Sequence, residues 1–193
     1  MSANLTLLPR QIGLRWFLRL LERAFAIVGL LAFVYIGGFN LSAISSHSMA
    51  PTLKGESLLQ GDVILSERIS YRFRRPRRWE LIMFRDAEFY IQVMKRVVGL
   101  PGETVRLEDK TQTIFINGTP ARRPASLQGI HYLAYGNLTG GKSASSDDGY
   151  YVLGDFSMDS QDSRWTGPVK ASQIMARPWL IVWPPSRIRF VNP

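Results

Sequence analysis

Residues 90–103 read YIQVMKRVVGLPGE, an alternating run that leads into a Pro-Gly pair. Alternate residues of a β-strand share a face, and one face of this stretch carries Ile91, Val93, Lys95 and Val97. The Pro101-Gly102 pair that follows is typical of the centre of a type II turn. The stretch therefore predicts a strand that ends in a tight turn and holds a lysine on an apolar face.

Short alternating runs with turn residues between them continue on both sides of this strand, and no long stretch after residue 44 has the helical period. Asn117-Gly118 is a further tight-turn signal. Residues 119–149, rich in Gly, Ser, Ala and Asp, predict an irregular surface excursion. The chain is therefore predicted to be mostly β over residues 45–193, with strands at 61–69, 80–84, 89–99, 104–108, 113–117, 150–154 and 179–183.

Ahead of this domain, residues 24–44 read AFAIVGLLAFVYIGGFNLSAI and carry no charge. A helix of this length reaches about 31 Å at about 1.5 Å per residue, enough to cross a hydrocarbon core of about 30 Å. We therefore expect one transmembrane helix over 24–44. A cleaved signal peptide is the competing interpretation, but the apolar run is longer than is usual for one.

The basic segment 1–23 carries four arginines, Arg10, Arg15, Arg19 and Arg23, against one acidic residue, Glu22. Positive charge favours the cytoplasmic side of a membrane segment. The sequence therefore predicts a single-pass protein whose residues 1–23 are cytoplasmic and whose residues 45–193 are extracytoplasmic.

Composition excludes several kinds of site. The chain has 193 residues, a net charge of +9, no cysteine and two histidines. A disulfide scaffold, a thiolate zinc site, an iron-sulfur cluster and a cysteine nucleophile are therefore excluded, and two histidines leave little for a metal centre. The basic run YRFRRPRRW at 71–79 fits either a nucleic-acid patch or a solvated hairpin tip that touches anionic lipid. We prefer the hairpin tip and expect no nucleic-acid partner, because an extracytoplasmic domain seldom meets nucleic acid.

Three polar segments need a chemical explanation. SSHSMAPTL at 45–53 follows the predicted span, the strand at 90–98 holds Lys95, and residues 154–169 crowd short polar side chains around one arginine. Burial disfavours an ammonium group and lowers its pKa, which is the condition for a lysine to act as a base near neutral pH. Without a partner serine, a lysine at a strand end with its stem on apolar surface and its amine in water is the preferred interpretation. His131 is interpreted as an ordinary loop residue.

In this order, the blocks SHSMAPTL (46–53), YIQVMKRVVGLPGE (90–103) and YVLGDFSMDSQDSRWTGPV (151–169) resemble the type I signal peptidases, which include the inner-membrane peptidases of organelles. The resemblance implies a signal-peptidase-like β domain of coiled antiparallel sheets behind one N-terminal transmembrane helix. Phe156 and Ser157 depart from the family block, which usually has Asn there, and this departure bears on the geometry of the loop.

Carried over by position, the resemblance implies that Ser48 is the nucleophile and Lys95 the general base. It also implies that the Ser46 hydroxyl and the Ser48 backbone N–H form the oxyanion hole. Ser160 is implied to hydrogen-bond the Lys95 amine, and Asp162 and Arg164 to form a supporting ion pair. His47 is not expected to serve as the base, because neighbours in an extended segment point to opposite sides.

The activity implied by the resemblance is that of a membrane-anchored serine endopeptidase. It would remove signal peptides from translocated precursors by cleaving after small residues, as in A-x-A. The expected partners are precursor proteins, the lipid bilayer and, as an open possibility, a homologous partner subunit. The expected location is a bacterial plasma membrane or an organelle inner membrane.

Three alternatives stay open at this stage. An inactive anchored homologue would bind precursors without cleaving them. A self-cleaving Ser/Lys regulator of the same fold would cut its own linker, although the chain shows a membrane segment and no helix-turn-helix. A basic nucleic-acid binder is the third alternative, and the predicted topology counts against it.

Overall fold

The computed structural model describes residues 9–55, 60–86 and 90–191, and it describes side chains from residue 13 onward. The chain forms two units, of which the first ends at Gly38 and the second begins at Phe39.

The first unit contains one long helix, α1 (Pro9–Gly38), whose described side chains are almost all exposed. Residues Gly13–Gly38 are long and apolar enough to cross a membrane. The predicted helix at 24–44 is wrong at its end, because Phe39–Ala43 form a strand. Gly37 and Gly38 are poor helix formers, and alternating apolar residues follow them. The helix also continues into the basic segment 1–23 that was predicted to be separate.

The second unit is built from antiparallel strands. These are β1 (Phe39–Ala43), β2 (Val63–Glu67), β3 (Leu81–Arg85), β4 (Gln92–Gly99), β5 (Thr104–Glu108), β6 (Thr113–Ile116), β7 (Thr119–Pro120), β8 (Ser143–Ser145), β9 (Tyr151–Leu153), β10 (Ile174–Trp183) and β11 (Arg189–Phe190). Two four-residue helices interrupt them, α2 (Ser70–Phe73) and α3 (Ser163–Thr166). Short 3-10 helices lie at Ala125–Leu127, Gly136–Gly141, Ser157–Asp159, Ala171–Gln173 and Pro185–Arg187.

The strands form two sheets. The larger has seven strands in the order β1-β2-β10-β3-β4-β9, with β11 paired to β10, and the smaller has four in the order β7-β6-β5-β8. The prediction of a mostly β fold is confirmed, and each predicted strand overlaps an observed one. The short strands β1, β7, β8 and β11 were not predicted.

The predicted turns are present. Glu103 N–H donates to the Leu100 carbonyl at 3.1 Å, with Gly102 at a φ of 82°. Asn117 and Gly118 have φ values of 50° and 80°, as a tight hairpin between β6 and β7 requires.

The prediction of a surface excursion over 119–149 is wrong for much of its middle. One hydrophobic cluster packs the smaller sheet against buried side chains of this segment, which are Leu127, Ile130, Tyr132, Ala134 and Leu138. These apolar residues are spaced irregularly, so no period revealed that they face a core. His131 is exposed in the same segment and contacts Gln112.

Candidate active site

A cleft of about 330 Å³ lies beside the larger sheet, between the end of β1, the start of β4 and the loop that follows β9. The predicted site residues that line it are Ser46, Ser48, Lys95 and Asp162. These residues come from three distant parts of the chain, so the fold brings them together. Ser160 and Arg164 do not line the cleft, but both contact Asp162.

Ser48 lies in a tight turn after β1 and is 8% exposed. The turn is closed by a hydrogen bond from Ala50 N–H to the His47 carbonyl at 2.8 Å. The Ser48 carbonyl accepts from Phe156 N–H at 3.0 Å, which fixes the turn to the loop after β9. The Ser46 and Ser48 hydroxyl oxygens are 3.2 Å apart. Both hydroxyls therefore sit at one point of the cleft.

His47 is exposed and does not line the cleft. In an extended segment His47 would point away from Ser48, but residues 48–52 form turns. The assumption about the backbone was wrong, although His47 does lie outside the cleft.

Lys95 lies in the middle of β4, opposite Ile82 of β3, and is 2% exposed. Burial lowers the pKa of the Lys95 ammonium group to about 8, because the charged form loses its hydration. The negative charge of Asp162 acts in the opposite direction, and the positive charge of Arg164 lowers the pKa further. Among the described residues Lys95 makes no ion pair within 4.0 Å. The lysine thus has a substantial neutral fraction near pH 8.

Asp162 organises the loop after β9. Its carboxylate accepts from the Ser160 hydroxyl at 2.7 Å and from Gly154 N–H at 2.9 Å. Arg164 donates to both carboxylate oxygens, at 2.8 Å and 2.7 Å, and both side chains of this pair are fully buried. Asp162 also caps α3 by accepting from Arg164 N–H. One carboxylate thus ties together the end of β9, the loop and the first turn of α3.

The Ser160 hydroxyl donates its hydrogen to Asp162. Its lone pairs stay available to accept a hydrogen bond, so its predicted interaction with Lys95 stays a prediction.

Gly154 allows the closest backbone approach at the site. A Cβ built on it would lie 2.1 Å from the Ser160 hydroxyl oxygen and 2.6 Å from the Ser48 carbonyl oxygen. Real Cβ contacts are never this short, so a side chain at position 154 would displace the serine turn or the loop. The position requires glycine for space.

Sequence reasoning missed a second buried ion pair behind the site. Arg96 donates to Asp155 at 2.8 Å and 2.6 Å, and both side chains are fully buried. Asp155 also accepts from the Thr52 hydroxyl at 2.5 Å and from the Tyr132 hydroxyl at 2.9 Å. Thr52 follows the Ser48 turn, so this carboxylate links that turn to β4 and to the loop after β9. The available signal for this ion pair was Arg96 itself, a charged residue next to Lys95 within a predicted strand.

Among the residues that the structure describes, no group of three or more His, Cys, Asp or Glu side chains could hold a metal ion. The polar side chains that line the cleft are hydroxyls, carboxylates, the carboxamides of Gln92 and Gln161, and the Lys95 amine. Such a set suits proton transfer and nucleophilic attack.

Comparisons with known proteins identify the class of enzyme and then the family. A family model described as signal peptidase, peptidase S26, matches residues 17–183. Because this match covers most of the chain, the protein belongs to the signal peptidase family S26, a family of serine peptidases.

Relatives from several organisms support this assignment. A signal peptidase I from Leptolyngbya laminosa is 33% identical over 78% of this chain and 71% of its own length. A signal peptidase I from Bacillus caldolyticus is 30% identical over 86% of this chain and 91% of its own length. A probable thylakoidal processing peptidase from Arabidopsis thaliana is 28% identical over 76% of this chain and 38% of its own length.

A crystal structure of a signal peptidase I from Enterococcus faecalis aligns with 54% of this chain and 97% of its own, with 30% identity and a TM-score of 0.42.

Proposed function

We propose that this protein removes signal peptides from translocated precursors, with Ser48 as the nucleophile and Lys95 as the general base. The observation that carries the proposal is that both side chains line one cleft while burial lowers the pKa of Lys95 to about 8. The names of the relatives, signal peptidase I, support the substrate class.

In the first step, the neutral Lys95 amine takes the Ser48 hydroxyl proton as the serine oxygen attacks the carbonyl carbon of the scissile peptide bond. The tetrahedral intermediate carries its negative charge on the former carbonyl oxygen. The Ser46 hydroxyl and the Ser48 backbone N–H would donate hydrogen bonds to this oxyanion. The 3.2 Å between the two serine hydroxyl oxygens supports a donor at that position.

The intermediate then collapses. The peptide C–N bond breaks, the Lys95 ammonium gives its proton to the leaving amine, and the signal peptide stays bound to Ser48 as an ester. Neutral again, Lys95 takes a proton from a water molecule that attacks the ester carbonyl. The bond between the acyl carbon and the Ser48 oxygen then breaks, Lys95 returns the proton to that oxygen, and the signal peptide leaves with a new C-terminal carboxyl group. No step requires a cofactor.

Asp162 and Arg164 would act through the loop that they hold and do not touch the reacting atoms. Because Arg164 pairs with Asp162, the negative charge of the Asp162 carboxylate near Lys95 is largely compensated. An uncompensated carboxylate there would hold the lysine protonated. Ser160 would orient the Lys95 amine from the same loop.

We further propose cleavage after small residues in a membrane setting. The cleft has a volume of about 330 Å³, and Ile44, Met49 and Met94 are among the apolar side chains that line it, which supports small side chains at −1 and −3. Helix α1 would anchor the chain with its basic N-terminal part on the cytoplasmic side, so that cleavage occurs on the opposite side. A bacterial plasma membrane or an organelle membrane suits this arrangement, and a homologous partner subunit stays a prediction.

The test is cleavage of a precursor with an A-x-A site by the full-length protein in detergent. Wild type is compared with the enzyme variants Ser48→Ala and Lys95→Met on this precursor. Wild type is also tested on a second precursor, in which the −1 alanine is replaced by a bulky residue. The exposed His47→Ala is the matched control from the same turn. We expect wild type and His47→Ala to cut after the small residue and the two site variants to leave the precursor intact.

Binding of the precursor by wild type without cleavage would favour the inactive homologue. Cleavage within the chain's own sequence in place of the precursor would favour the self-cleaving regulator. Cleavage by Ser48→Ala or Lys95→Met would contradict the proposed roles.

A further inference from the structure

Residues 68–78, RISYRFRRPRR, form a basic arm between β2 and β3 that the proposed function does not use. The arm contains α2, and its Phe73 side chain is 85% exposed. Ile69 at its base is also exposed, at 42%. The arm therefore presents cationic and apolar side chains together to the solvent.

Acidic residues near the arm are already compensated. The Glu80 carboxylate accepts from Arg74 at 2.7 Å and lies 3.5 Å from Arg177. Glu67 accepts from two backbone N–H groups at the start of α2, and Glu103 pairs with Arg78 at 2.6 Å.

This leaves three exposed arginines uncompensated, since the guanidinium groups of Arg72, Arg75 and Arg77 make no ion pair or hydrogen bond with any residue that the structure describes. Arg68, which is half-buried at the base of the arm, makes none either. Asp148 and Arg75 line a common pocket but form no ion pair. Because no acidic side chain is paired with these three arginines, the arm carries an excess of positive charge.

The position of the arm in the sheet indicates what it faces. Phe39 is the first residue after α1, and its register partner in β2 is Glu67. The arm starts one residue after Glu67, at the end of the sheet where the chain arrives from the candidate membrane helix. Aromatic rings gather near this end as well, with Trp179 6.4 Å from Phe39 and 5.5 Å from Phe190. Aromatic and basic side chains are enriched at membrane interfaces.

We propose that the basic arm is a second membrane contact, which binds anionic lipid headgroups of the leaflet where α1 ends while Phe73 enters the interface. Arginine binds phosphate through paired N–H donors, and each basic residue near an anionic surface strengthens adsorption about fivefold. The proposal goes beyond the peptidase reaction and depends on α1 crossing the bilayer. Such a contact would restrict the orientation of the cleft relative to the membrane surface.

The test uses the full-length chain reconstituted in vesicles. Because the sequence has no cysteine, Ser70→Cys in α2 provides a single site for a nitroxide label. Gln128→Cys, exposed beside the smaller sheet, is the control site. The label's collisions with oxygen, which concentrates in lipid, are compared with collisions with a water-soluble nickel chelate. Vesicles are phosphatidylcholine alone, or phosphatidylcholine and phosphatidylglycerol in equal amounts.

We expect the label at position 70 to be protected from the chelate in the anionic vesicles and exposed in the zwitterionic ones. Replacing Arg72, Arg75 and Arg77 by Gln should lower the ratio of membrane-bound to unbound arm, as reported by the label, at least tenfold. Raising the salt from about 0.1 M to about 1 M should act in the same direction, because the Debye length shortens from about 10 Å to about 3 Å.

The matched control replaces Lys110, Arg122 and Lys142 by Gln, which removes the same charge from exposed positions outside the arm. This control should leave the protection unchanged. Equal protection in both vesicles, or an equal loss in the control variant, would overturn the proposal. A third outcome would also overturn the proposal: a single-stranded oligonucleotide protects the label in detergent, but anionic vesicles do not. That result would assign the arm to nucleic acid.

Discussion

The two faces of strand β4 hold adjacent buried basic residues in opposite electrostatic settings. Arg96 is fully buried and meets the Asp155 carboxylate at 2.6 Å. Burial opposes its charge, but the hydrogen bonds and charge of Asp155 outweigh this effect, so the pKa of Arg96 is raised. Lys95 is just as buried and has no such ion pair among the described residues, and burial lowers its pKa to about 8.

The difference shows that burial alone does not make a base. A buried cation with a carboxylate in contact stays charged and holds structure together, whereas a buried cation without one releases its proton. Two neighbouring residues of one strand therefore serve structure and, as we propose, chemistry. The predictions below test this division.

The largest effect is expected for Lys95→Met. Methionine keeps the length and fills the same apolar space, but it cannot take a proton. We expect kcat/KM for precursor cleavage to fall at least about 10³-fold while the circular dichroism spectrum is unchanged. A fall of less than tenfold would assign the base to another group.

The same variant should change stability in a pH-dependent way. An unfolded lysine holds its proton up to pH 10.5, whereas folded Lys95 holds it only up to about 8. The unfolded state thus binds more protons between these values, so wild-type stability rises with pH across this window. Lys95→Met should therefore be more stable than wild type below pH 8, by up to about 3 kcal/mol, and the advantage should vanish above pH 10.5. Urea unfolding at several pH values measures this.

The next effect is expected on the other face of β4. Arg96→Met leaves the Asp155 carboxylate buried without its cation, which costs about 3–5 kcal/mol of unfolding free energy. Activity should fall because the folded fraction falls, and the midpoint of the pH profile should move upward, because the charge of Asp155, now without its partner, raises the pKa of Lys95. Combining Arg96→Met with Asp155→Leu should recover much of the stability. A full loss of activity in a stably folded Arg96→Met protein would contradict the structural role.

A contact at this site can be predicted from the sequence only when its residues lie close together along the chain. Alternation in residues 90–97 placed Lys95 on an apolar face, because a period of two needs local information alone. It did not show that the amine is buried, since both faces of β4 are buried from Met94 onward by packing against distant segments. The Arg96–Asp155 pair joins residues far apart, and Tyr132 reaches it from a segment that composition marked as surface. No local pattern encodes such contacts. The end of α1 was missed for a related reason, since residues 39–43 become a strand by pairing with β2.

A smaller effect is expected at Gly154, which lies next to Asp155. In Gly154→Ala the new Cβ would overlap the Ser160 hydroxyl and the Ser48 carbonyl, so the serine turn or the loop must move. Overpacking of this kind costs about 1–3 kcal/mol of stability, and kcat should fall more than the folded fraction does. Gly129→Ala is the matched control, since a Cβ there meets nothing within 4 Å. Equal kinetics for the two variants would show that the serine position tolerates movement.

The smallest effect is expected for a partly exposed ion pair. Arg78 and Glu103 lie 2.6 Å apart, with side chains 24% and 19% exposed. A double-mutant cycle with Arg78→Met and Glu103→Gln should give a coupling of about 0.2–1 kcal/mol, because water screens the charges. A coupling as large as that of Arg96 with Asp155 would refute the claim that burial sets the strength of these pairs.

The central claim is that Lys95 is the base because burial leaves it neutral. The direct measurement is the titration of the Lys95 Nζ by heteronuclear NMR, set beside the pH dependence of kcat/KM for the same protein in the same detergent. We expect a common midpoint near pH 8, with activity rising as the lysine loses its proton. A lysine that titrates near its ordinary value of 10.5, in an enzyme whose activity is already complete two units lower, would contradict the central claim.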